Sequence, residues 1–156
     1  MSLPYSQSIV PGIESRLNQA ACGAQGPLRI AAVPTGGDAG LIGRNLVDVG
    51  ELTVLGVYRC LIPLSGLVDT LQVFLKATFA SGTVSSDLDT LYWVRTPTDP
   101  TTWSKKTAGS GDGALTTATL QSSTITTLRG EQYAVLDITL GTAAACTFTQ
   151  AEYNGI

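Results

Sequence analysis

The chain has 156 residues, 44% of them hydrophobic and only 13% charged, with a formal net charge of −3 and no histidine. A chain of this length supports one domain with one core, and its acidic balance excludes a broad phosphate-binding patch, which needs clustered Lys and Arg. The missing histidine removes the commonest general acid–base group and transition-metal ligand, and with it most catalytic triads and zinc sites.

Residues 1–27 read as an N-terminal arm distinct from the body at 28–156. Pro4 and Pro11 favour extended backbone and each removes a donor, so this stretch suits lying across a surface more than joining a sheet. Residues 13–22 have the spacing of one short helix, with Ile13, Leu17, Ala20 and Ala21 on one face and Gly23 as the C-terminal cap. About three turns are marginal alone, so the arm needs a partner. Its candidate contact residues are Pro4, Tyr5, Ile9, Val10, Ile13 and Leu17. The first residues lack the basic start and apolar stretch of a secretory signal.

The body reads as strands. Residues 28–33 form a short one, and the glycine-rich stretch 34–43 a long loop that lacks the lysine and the following helix of a phosphate-binding loop. The strongest apolar blocks, 52–62 and 69–79, are both predicted strands. In the second, Leu71, Val73, Leu75, Ala77 and Phe79 share one parity, while Gln72, Lys76 and Thr78 lie on the wetter side with Phe74 as the exception. Residues 89–95 make a further strand, Pro97 and Pro100 turn the chain, and the glycine-rich turn at 109–113 leads to predicted strands at 114–121, 124–128, 133–140 and 145–150. Together these predict a mostly β fold, an antiparallel β-sandwich or barrel of jelly-roll-like form, carrying the extended arm and its short helix.

Chemistry is sparse along the chain. Cys22, Cys60 and Cys146 form no C-x-x-C pair, and the last two sit in apolar strands as small hydrophobes. Glu131 reads as an exposed turn acid. Lys105 and Lys106 read as solvated, which argues against a serine–lysine dyad with Ser104. No enzyme activity, cofactor or metal is expected, nor a nucleic-acid role, and no apolar run is long enough to span a membrane. Trp93, Trp103 and Tyr92 leave open a sugar-stacking platform; as neighbours on one strand, Tyr92 and Trp93 face opposite ways, so one aromatic is expected outside the core. Trp103 is a candidate interface residue.

The arm at 1–12, the segment 89–100 and the closing residues 151–156, on a Thr-rich body of low charge, resemble the capsid decoration, or cement, proteins of tailed bacteriophages. The resemblance implies a virion protein made in the host cytoplasm that binds the outside of an icosahedral shell. Its implied partners are the major capsid protein and copies of itself, as a trimer or dimer. The alternative is a carbohydrate- or receptor-binding module of a phage tail or fibre, with a glycan as partner.

Overall fold

A strand with one covered face alternates buried and exposed side chains, and the chain follows that rule closely. In a computed structural model, which describes residues 25–64, 66–92, 99–126, 128–142 and 145–156, β5 (Thr70–Phe79) buries Leu71, Val73, Leu75 and Ala77. Its intervening residues Gln72, Phe74 and Lys76 lie on the opposite, half-exposed face. β5 pairs with β11 (Cys146–Gly155) on one side and β9 (Gln121–Thr126) on the other. β1 (Gln25–Pro27) and β3 (Glu51–Leu52) both pair with the far side of β11, completing sheet I in the order β1-β11-β5-β9.

Sheet II runs β2 (Arg29–Ala32), β4 (Gly56–Pro63), β10 (Tyr133–Leu140), β6 (Val84–Leu91), β7 (Lys105–Ala108), with β8 (Gly113–Ala114) also on β6. All these ladders are antiparallel. One core lies between the sheets: Ile30, Tyr58, Cys60, Ile62, Leu88, Leu136 and Ile138 from sheet II meet Leu71, Val73, Leu75, Ile125, Phe148 and Ala151 from sheet I. Each Leu, Ile, Val and Phe among them contributes about 1.5–3 kcal/mol when fully removed from water. Tyr58 keeps its phenol satisfied by donating to the Val54 carbonyl at 2.8 Å.

The chain's own loops close two of the sheet edges, β2 and β9. Beyond β2, Ile30 N–H donates to the Arg44 carbonyl and Gly43 N–H to the Ile30 carbonyl. Beyond β9, Ser110 and Thr124 exchange backbone hydrogen bonds, both at 2.8 Å. The loop 109–112 can lie this close because Gly111 has φ +85° and a Cβ there would stand 2.5 Å from the Ser122 carbonyl oxygen. Asp112 then accepts from the Leu88 N–H at 3.0 Å, tying the same loop to sheet II. These two edges are thereby shielded from pairing with a stray strand.

The two separate sheets resolve the choice between sandwich and barrel in favour of the sandwich. Several expected boundaries move. Residues 25–27, expected in the arm, pair with β11 as part of sheet I. The expected strand at 114–121 is mostly a turn around Ala118, which has φ +58°. β6 begins at Val84, five residues early, and β11 continues through Gly155 instead of stopping at Gln150. Among the described residues the helical elements are two short 3-10 turns, Ala39–Leu41 and Pro100–Thr102, and no helix is long and apolar enough to cross a membrane. The helix expected over 13–22 lies outside the described residues.

Candidate functional site

The two outer faces of the sandwich have different chemistry, and each follows from strand register. On sheet II, Asp137 of β10 stands opposite Arg59 of β4 and Asp87 of β6, so the outward-facing row reads cation, acid, acid. Arg59 grips Asp137 with both arms of its guanidinium, Nε to Oδ1 at 2.8 Å and Nη2 to Oδ2 at 3.0 Å. Its remaining Nη1 donates to the Pro100 carbonyl. Lys105 reaches in from β7, with Nζ 2.9 Å from Asp137 Oδ2 and an ion pair to Asp87. It is also 3.1 Å from Asp89 Oδ2, where it supplies charge but no well-directed hydrogen bond.

Burial and pairing act against one another in this cluster. Burial pushes the Asp137 carboxyl up, but hydrogen bonds from Arg59 and Lys105 outweigh it and hold the group below the usual carboxylate range. Burial dominates at Asp89, which is raised despite Lys105. Burial alone would lower the Lys105 ammonium, yet its pairing with the charges of Asp87, Asp137 and Asp89 raises it. A lysine held protonated cannot act as the base of a serine–lysine dyad. The expectation of a solvated side chain fails for Lys105, which is clasped by three aspartates; Lys106 is exposed, as expected, and pairs with Glu131.

Beside the ionic row lies a second, smaller apolar cluster. Leu91, Trp103 and Val135 pack together with Ala31, Leu61 and Tyr133 against them. Trp103 is 8% exposed, so its proposed place at an interface or in a sugar-stacking platform is overturned: its ring covers the outer face of sheet II. Tyr92 is the exposed aromatic, at 57%. Trp93, Pro4, Tyr5, Ile9, Val10, Ile13 and Leu17 lie outside the described residues.

The outer face of sheet I is close to neutral. Register places Gln25, Asn154, Gln72 and Thr124 in one row and Pro27, Glu152, Phe74 and Ser122 in the next, with Gln150 opposite Lys76 beyond. Amides are fixed in pairs: Gln25 Nε2 donates to Asn154 Oδ1 at 3.0 Å, and Gln150 Nε2 to Glu152 Oε1 at 2.7 Å. A groove of about 690 Å³ opens here between β1, Val47, Phe74 and residues 149–154 of β11.

Cys60 and Cys146 are both buried, and burial pushes their thiols up to about 12 and about 11. They are inert packing groups rather than nucleophiles. Among the described residues no group of three His, Cys, Asp or Glu side chains is arranged to hold a metal ion.

No protein-family model matches the chain, and no curated protein matches it.

The ionic cluster escaped sequence reasoning because its members come from four strands, with Arg59 and Asp137 78 residues apart. A signal was present. Asp137 interrupts the apolar run 134–138, and a lone charge in such a run has to find a buried partner.

Proposed function

We propose that this is a virion structural protein that binds the outer surface of an icosahedral phage capsid and bridges neighbouring capsid subunits. The partners under this reading are the major capsid protein and further copies of the chain itself. The supporting observation is how the arm joins the body. Gln25–Pro27 runs along the edge of sheet I, and 24 residues precede it with only Glu14 and Arg16 as charged side chains. If extended, 24 residues reach up to roughly 80 Å, enough to leave the body and cross onto a neighbouring subunit.

The body suits the same role. Arg59, Lys105, Lys106 and Arg129 are paired with the body's own acids, and the capped β2 and β9 edges do not invite strand addition. Affinity then comes from covering neutral and apolar surface at roughly 25 cal/mol per Å², multiplied by avidity across symmetric copies.

Deleting residues 2–12 and mixing the product with undecorated shells tests the reading. Occupancy counted on purified particles should fall sharply. Unchanged occupancy removes the arm from the function, and no binding by the intact chain to any shell removes the function itself.

A further inference from the structure

We infer that the groove on the outer face of sheet I is a binding site for a neutral saccharide, with Phe74 as its stacking surface. This inference does not depend on the capsid reading.

Phe74 is the large apolar side chain on the polar parity of β5, flanked there by Gln72 and Lys76. It does not belong to the core between the sheets. Its cross-strand neighbours are Glu152 and Ser122, and the amides of Asn154 and Gln150 lie one row to either side on β11. An aromatic ring bordered by amide, carboxylate and hydroxyl groups matches a sugar, which offers an apolar ring face and a rim of hydroxyls that both donate and accept.

The polar groups are held in place before any ligand arrives. The Gln25–Asn154 and Gln150–Glu152 hydrogen bonds use one atom from each side chain. Each amide or carboxylate therefore keeps a second polar atom for a hydroxyl, at reduced ordering cost. The size also fits, since about 690 Å³ falls within the ~300–1,000 Å³ range of small-molecule sites.

Charge sets the class. Glu152 is the carboxylate among the groove-lining residues, and Lys and Arg are absent from that lining. With Lys76 a row away on the same face, an anionic sugar or a phosphate meets no cation in the lining and gains nothing there from its charge. A purely apolar ligand surface would cover the second polar atoms of these side chains without partners, which is unfavourable.

Two-dimensional NMR of the isotope-labelled full chain reads the result. The probes are neutral trisaccharides of glucose, mannose, galactose and N-acetylglucosamine, with sialyllactose as the anionic control. At least one neutral sugar should give saturable shifts at residues 72–76 and 150–154, with a Kd on the order of 1 mM or tighter, and sialyllactose none. Phe74→Ala should weaken binding roughly tenfold, while Phe74→Tyr keeps it, and Gln150→Ala weakens it without touching the core. Three outcomes overturn the inference: no saturable shift with any neutral sugar, equal affinity in Phe74→Ala, or the same amides shifting with protein concentration alone, which assigns the face to a second copy.

Discussion

Replacing Asp137 by Asn keeps the size of the side chain and removes the charge that Arg59 and Lys105 share. Breaking a fully buried ion pair costs about 3–5 kcal/mol. Here the side chains of Asp137, Arg59 and Lys105 are 9%, 14% and 28% exposed, so solvent screening reduces the expected loss to about 2–3 kcal/mol. For a chain of this size that lowers the melting temperature by roughly 4–12 °C. Urea unfolding is the better assay, because guanidinium salt would itself screen the cluster; the midpoint should fall with the slope unchanged. Asp69→Asn is the matched control: Asp69 and Arg129 form a bidentate pair that is 55% and 71% exposed, so solvent screening should leave its loss well below that of Asp137→Asn. The pH dependence has a definite sign. Asp137 lies below its unfolded value, so its contribution is present above about pH 3.9 and is lost as the pH falls through the folded value. Asp89 is raised and acts in the opposite sense, losing stability as the pH rises. Asp137→Asn should therefore flatten the acid limb of the stability curve. A loss for Asp137→Asn no larger than for Asp69→Asn would refute the reasoning.

Gly111→Ala should destabilise by about 2 kcal/mol or more, because the new methyl meets the Ser122 carbonyl at a left-handed φ; circular-dichroism melts check it, and an unchanged melt would deny that the loop seals the β9 edge. Trp103→Ala should cost about 3 kcal/mol by emptying the cluster with Leu91 and Val135, while leaving any sugar-induced shifts around Phe74 in place. At high pH, stability should decline from about pH 9, where the unfolded thiols ionise while Cys60 and Cys146 stay neutral in the fold. Lys105, raised by its aspartates, adds to the decline once the pH passes about 10.4 and climbs toward its folded value. Urea titrations between neutral and alkaline pH measure this, and flat stability above pH ~10 would contradict it.

Period-2 patterning made the central strands readable: β5 and β10 sit where the alternation of 70–79 and the apolar run of 133–140 predict. Edges and ends were harder. Glu152, Asn154 and Gly155 look like a solvated tail, but β11 continues through them because it has partners on both sides. Ser85, Ser86 and Asp87 have low strand propensity, yet β10 pairs with all of them, a case of tertiary context overriding local preference. The outer faces were least legible. Trp103 belongs to a cluster assembled from β6, β10 and β4, and the neutral rows around Phe74 emerge only when β1, β11, β5 and β9 are set in register.

The strand order also dictates when the molecule can assemble. β10 sits in the middle of sheet II and β11 between the two halves of sheet I, and these come after the other described strands in chain order. A nascent chain halted near residue 130 on the ribosome would carry greasy ribbons from both layers with neither centrepiece to join them. Folding must wait until residues 133–155 have been made, including a Gln25–Asn154 contact that spans 129 positions. Slow, late closure of this kind leaves unpaired strands exposed, so truncated products should clump rather than persist as half-built domains.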